Sequence, residues 1–210
     1  ELFYKEFYNR FNSYEDLPKH WLSLKDEIAN HLITLLNGDK HILSIGSGIG
    51  YIEKQLYSHN NSFKIVAIEP GDCSIKWVGD KIHLLKGFFP NALSGLYSYK
   101  DFDFVYASGI DYVFDDESYI AFLSSLIEFG INDFLLTEIF VPKTGIIVYM
   151  KDIIKSFLER FGLRTVEQYL QFWGYLRTVD EHISYLRNAG FSEITVGEYN
   201  HGAYWIRSKV

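Results

Sequence analysis

The stretch that most limits what this chain can fold into is a glycine-dense turn joining a strand to a helix. His41-Ile42-Leu43-Ser44-Ile45 reads as a short buried strand, and it runs directly into Gly46-Ser47-Gly48-Ile49-Gly50 before a helical pattern opens near Tyr51. Glycines in such a turn let the backbone approach a ligand closely, and the N-terminus of the following helix favours an anionic group. The dinucleotide fingerprint requires a third glycine where this chain carries Tyr51. That substitution disfavours a nicotinamide-dependent oxidoreductase.

Around this turn, short apolar runs alternate with helical stretches. Strands are expected at Phe63–Ile68, Ile82–Leu85, Phe102–Ala107 and Phe134–Thr137. Helices are expected near Ser74 and over Asp116–Phe129. Alternation of this kind builds a mostly parallel sheet with helices on both faces. Upstream, Ser23-Leu24-Lys25-Asp26 reads as a capping-box start for a helix whose apolar face is Leu24, Ile28, Leu32 and Leu35, with Gly38 as its stop. Downstream, residues 150–175 look helical, and Thr178-Val179-Asp180-Glu181 opens a helix closed by Gly190. Phe191–Glu198 and Ala203–Ser208 flank the turn Asn200-His201-Gly202, an antiparallel hairpin. The expectation is one α/β domain over residues 1–210. It has a Rossmann-like, seven-stranded, mostly parallel sheet with its last strand antiparallel. Residues 1–38 form a helical cap, 40–139 a cofactor-binding half, and 140–210 a substrate-side segment with the terminal hairpin.

Composition narrows the partners. The chain has 210 residues and a net charge of −7, which argues against nucleic acid, because counterion release needs a field of Lys and Arg. Its one cysteine, Cys73, excludes an intrachain disulfide and a Cys-rich zinc site, and suits a reducing, cytoplasmic compartment. No His, Asp or Glu spacing suggests another metal, and no apolar run approaches the roughly 20 residues of a membrane span. Aromatics reach 18%, enough to pack a core and also to wall a pocket. The stretch Tyr169–Tyr175 could serve either purpose. The oligomeric state stays open.

Glu69 closes the second strand 23 residues after Gly46, where an acid can accept hydrogen bonds from both hydroxyls of a ribose. Together, the turn, this acid and the terminal hairpin resemble the class I S-adenosylmethionine-dependent methyltransferases of small-molecule type, over about residues 40–210. The resemblance implies S-adenosylmethionine (SAM) as cofactor and S-adenosylhomocysteine (SAH) as product. It implies that Gly46, Ser47, Gly48 and Gly50 hold the methionine end, Glu69 the ribose, and Pro70 with Gly87, Phe88 and Phe89 the adenine. Ser108 and Gly109, after the fourth strand, would lie near the sulfonium. Two positions depart from the family pattern: Ser44 stands where an acid is usual, and Phe88 where the adenine loop commonly carries one.

Methyl transfer to a hydroxyl needs a proton acceptor, and the carboxyl ends of the strands are where one should sit. His201 is the first candidate base, since imidazole titrates near neutral pH, and Asp111 is the second. Glu138, Lys143, Tyr175, Arg177 and His20 are candidate substrate contacts. The reading is methyl transfer to a small-molecule acceptor, with a hydroxyl preferred. N-methylation, or a non-catalytic cofactor-binding partner subunit, are the alternatives.

Overall fold

The apolar runs become seven strands because each has more branched and aromatic side chains than one sheet face can expose. The computed structural model describes residues 11, 13–36, 38, 40–72, 82–142 and 174–210. The strands are β1 (His41–Ile45), β2 (Lys64–Glu69), β3 (His83–Lys86), β4 (Phe104–Ser108), β5 (Asp133–Ile139), β6 (Glu193–Glu198) and β7 (Tyr204–Lys209). They form one sheet in the order β3-β2-β1-β4-β5-β7-β6. The pairs from β3 through to β5 are parallel, and β7 runs antiparallel to both β5 and β6. The direction of chain progress reverses between β1 and β4, and a crevice at the carboxyl ends is expected there.

Four described helices cover the sheet: α1 (Lys19–Leu35), α2 (Tyr51–His59), α3 (Asp116–Phe129) and α4 (Val179–Ala189). α1 and α2 bury Leu24, Ile28, Leu32, Ile52 and Leu56 against Ile42, Phe104 and Leu135 on one face. α3 and α4 bury Tyr119, Phe122, Leu126 and Leu186 against Leu43, Val105 and Phe134 on the other. The α3 and α4 termini follow the local chemistry. Asp115 accepts the Ser118 N–H at 2.8 Å to start α3, and Thr178 with Glu181 forms a reciprocal capping box on α4. Gly130 and Gly190 end these helices in left-handed conformations.

Several boundaries move from their sequence-derived positions. α1 begins at Lys19, four residues before the capping box expected at Ser23. The Pro18 carbonyl takes the first helical bonds from Trp21 and Leu22, and the Ser23 hydroxyl is instead engaged with His201. β3 starts one residue later than expected and β4 two, while β5 extends at both ends. Of the segment read as a cap, the described part includes α1, which lies on the sheet face itself. Lys143, Cys73, the helix expected near Ser74 and the aromatic residues 169–173 lie outside the described residues. No helix among the described residues is long and apolar enough to cross a membrane.

Candidate functional site

The turn after β1 is built on backbone that only glycine adopts readily. Gly46, Gly48 and Gly50 have φ of 76°, 57° and 74°. At Gly46 a side chain is excluded as well, since a Cβ would lie 2.2 Å from Ile110 Cγ2. The Gly46 and Ser47 N–H groups donate to the Ile68 carbonyl at 2.8 and 3.2 Å, which stitches the turn to β2. Tyr51, in place of a third glycine, points its hydroxyl at Asp26 on α1 at 2.8 Å. Burial, with Asp26 accepting that bond, pushes the phenol up to about 12. Tyr14 donates to the Ile49 carbonyl at 2.8 Å, so the chain ahead of α1 is fastened over the turn.

Glu69 stands beside the same turn. Its Oε2 accepts the Gly48 N–H at 2.9 Å and its Oε1 the Gly71 N–H at 2.8 Å. Gly87, at the end of β3, donates its N–H to the Glu69 carbonyl at 3.3 Å. The two aromatic residues that follow diverge. Phe88 is 66% exposed at this edge, whereas Phe89 turns inward against Phe122 and Phe129. Pro70 is half-buried next to Glu69.

At the ends of β4 and β5 lies a second polar group. Ser108 donates to Glu138 Oε2 at 2.8 Å, and Lys25, reaching in from α1, is ion-paired to the same carboxylate and lies 3.3 Å from the Ser108 hydroxyl. Glu138 sits where the β5–β7 register shifts, and it is the one non-glycine residue with positive φ (60°) among those described. Such backbone costs on the order of 1–3 kcal/mol and clusters at functional positions. Gly109 (φ 60°) is pressed against it, because a Cβ there would be 2.8 Å from Glu138 Oε2.

A third group lies behind the glycine turn. Ser44 and Tyr106, paired in register on β1 and β4, both donate to Glu53 Oε1, at 2.5 and 2.6 Å. Burial raises the Glu53 carboxyl above its ordinary range, against the pull of the Ser44 and Tyr106 hydroxyls and of Lys25.

The remaining sequence-derived candidates are placed as follows. His201, in the β6–β7 turn at the carboxyl edge, is exposed and bonded through Nε2 to Ser23 Oγ at 2.9 Å. Asn200 beside it donates to Glu27 of α1. His20 is exposed at the start of α1, and Tyr175 is exposed at 43%. Asp111 faces inward: it is fully buried, 3.5 Å from Nε2 of an equally buried His182, whose Nδ1 meets the Tyr119 hydroxyl at 2.8 Å. Arg177 is buried too. Its Nε and Nη2 bond Asp116, and its Nη groups bond the carbonyls of Asp111, Tyr175 and Phe114. These contacts use all five N–H donors, so none is left for a substrate anion. Sequence reasoning did not single out Lys25 and Glu53. Ser44 was the available signal for Glu53, because a hydroxyl within a buried strand needs a partner. Among the described residues no group of His, Cys, Asp and Glu is arranged to hold a metal ion.

No family model matches the chain, and no curated protein matches it in sequence. Solved structures match it in fold. The pyocyanin biosynthetic protein PhzM is 15% identical over 88% of this chain and 54% of its own, with a TM-score of 0.62. Human N-acetylserotonin methyltransferase, in complex with SAM, is 13% identical over 80% of this chain and 47% of its own, with a TM-score of 0.57. The magnesium protoporphyrin IX methyltransferase ChlM from Synechocystis PCC 6803, with bound SAH, is 14% identical over 90% of this chain and 83% of its own, with a TM-score of 0.60. The chain thus spans about half the length of the first two and most of the third. At these identities the likeness speaks for the fold: the chain has the Rossmann-like fold of the SAM-dependent methyltransferases.

Proposed function

We propose that the chain is a SAM-dependent methyltransferase acting on a small-molecule acceptor, with an oxygen as the methyl-accepting atom. The observation that most supports this is Glu69. Its carboxylate ends β2 beside the glycine turn and accepts N–H groups from Gly48 and Gly71 on either side. An acid so placed can take both hydroxyls of a ribose whose remaining parts extend along the turn. The other residues fit the same ligand. Gly46, Ser47, Gly48 and Gly50 would hold its methionine end, Pro70, Gly87 and Phe88 its adenine, and Ser108 and Gly109 the centre. Phe89 belongs to the core rather than to this set.

When bound, the cofactor supplies an electrophilic methyl group on a sulfonium. The chain must align the acceptor with it and remove the acceptor's proton. Glu138 is placed to take that proton, held by Ser108 and by Lys25 at the end of β4. His201, on the same edge, is the second group able to do so. The net charge of −7 and the single cysteine support a small metabolite in a cytoplasmic setting.

Calorimetric titration with SAM, SAH and NAD tests the reading. Micromolar binding of the first two and no heat from NAD is the expected result. A folded sample, confirmed free of carried-over ligand, that ignores both SAM and SAH would overturn it.

A further inference from the structure

We propose that Glu53 receives the ammonium group of the adenosyl ligand and gives up a proton as that group arrives, so that cofactor binding is coupled to pH. This rests on reading the glycine turn as the cofactor site. Glu53 is the third residue of α2, directly after the turn, and is 1% exposed. Its Oε1 is occupied by Ser44 and Tyr106, while its Oε2 is buried without a hydrogen-bond partner among the described residues. Ser47 Oγ, in the turn itself, is likewise buried and unpartnered. Buried polar atoms rarely lack partners, and these two belong to one turn and the helix it opens. A carboxylate oxygen and a hydroxyl oxygen both accept, so a group rich in donors would satisfy them together. An ammonium carries three donors and a positive charge.

The charge balance around Glu53 is suited to such an exchange. Three titratable groups face it: Tyr106 from β4, Tyr14 from the 3-10 turn ahead of α1, and Lys25 from α1. Burial favours the neutral carboxyl in the free protein. The two hydroxyl donors, Lys25 and the N-terminus of α2 favour the carboxylate. A cation brought to Oε2 tips that balance. The proton leaves Glu53 for solvent, and the ammonium keeps its own three.

The test is titration with SAH, which carries the ammonium but no sulfonium, in buffers of differing ionisation enthalpy from about pH 5 to 8. The wild-type chain should release up to one proton per SAH bound, and its affinity should rise by up to about tenfold per pH unit where Glu53 is neutral in the free protein. Glu53→Gln should bind SAH more weakly, without that proton and without that slope. Ser44→Ala keeps the carboxyl and removes one donor, so the slope should persist and move to higher pH. Glu53→Gln with the wild-type slope, or release with SAM but not SAH, would overturn the assignment. So would wild-type binding of SAH with no proton released, whether or not the variants fold. Failure of folded wild type to bind SAM or SAH is a separate result, and it overturns the cofactor site itself.

Discussion

Glu53 and Asp111 are carboxyls buried on opposite faces of the sheet near its carboxyl edge, and the two are provided for differently. Under α1 and α2, Glu53 has hydroxyl donors on one oxygen and a lysine nearby. On the α3 and α4 side, Asp111 lies 3.5 Å from buried His182, below an arginine that clamps its carbonyl. Asp111 and His182 Nε2 also lack hydrogen-bond partners among the described residues, but they face each other in the core, with Tyr119 on the other ring nitrogen of His182 and Arg177 over the Tyr119 ring. Glu53 belongs to a group that ends on a turn whose Ser47 oxygen is also unpartnered. Burial alone therefore does not mark a working acid. What distinguishes the two is where the unpartnered oxygens lie: on the helix that the glycine turn opens for Glu53, and against His182 beneath Arg177 for Asp111.

The largest expected effects are on the Asp111 side. Asp111→Ala removes a fully buried carboxyl that faces His182 in the core and should cost up to about 3 kcal/mol of stability in urea denaturation. The remaining folded protein should bind SAH as before. Arg177→Met should be comparably damaging, because it removes the guanidinium from Asp116 and from the carbonyls of Tyr175, Phe114 and Asp111, the last of which keeps only the Phe114 N–H at 3.4 Å. A stable Asp111→Ala with reduced turnover would instead place Asp111 in the chemistry.

The reverse pattern is expected on the other side of the comparison. Glu69→Ala should weaken SAH binding tenfold or more, the equivalent of roughly 1.5–3 kcal/mol for charge-assisted hydrogen bonds. Its effect on stability should be smaller than that of Asp111→Ala. Unchanged SAH affinity would remove Glu69 from the site.

Glu53 gives a smaller effect with a definite sign. Its folded-state pKa is raised by burial, so between the unfolded and folded values the native chain binds more protons than the unfolded one. The stability contributed by the neutral carboxyl is complete below the unfolded value and is lost as pH rises through the folded one, by at most about 1.4 kcal/mol per pH unit. Glu53→Gln stays neutral throughout, so its denaturation midpoint should lack that decline. Equal pH profiles for the two proteins would show that Glu53 is already ionised.

How much of this was legible in the sequence depends on how local each cause is. Gly46, Gly48 and Gly50 announce themselves because the backbone they adopt is a property of single residues. Glu69 follows from its distance along the chain, and Gly130 and Gly190 from helix-stop chemistry. The start of α1 was misread because Ser23, an ordinary cap residue, has a partner 178 residues away. Lys25 and Glu53 look like solvated helix positions until α1 and α2 are laid on the sheet. Arg177 is anchored mostly by carbonyls 63 and 66 residues distant and by Asp116, 61 residues away, a set no local pattern encodes.

The smallest effect concerns the fastening between α1 and the β6–β7 turn. His201 bonds Ser23 from an exposed turn, and the neighbouring Asn200 makes its own bonds to Glu27. Removing one exposed hydrogen bond while the others remain leaves α1 seated, so His201→Ala should cost only about 0.5 kcal/mol of stability. SAH affinity should change by less than about twofold, a shift under roughly 0.5 kcal/mol. If His201 takes the acceptor's proton, its loss should appear in turnover alone, with cofactor affinity intact. A tenfold loss of SAH affinity would mean that the β6–β7 turn, through Ser23, helps to form the cofactor site. The boundary between the cofactor and acceptor sides would then lie at α1 rather than at β4.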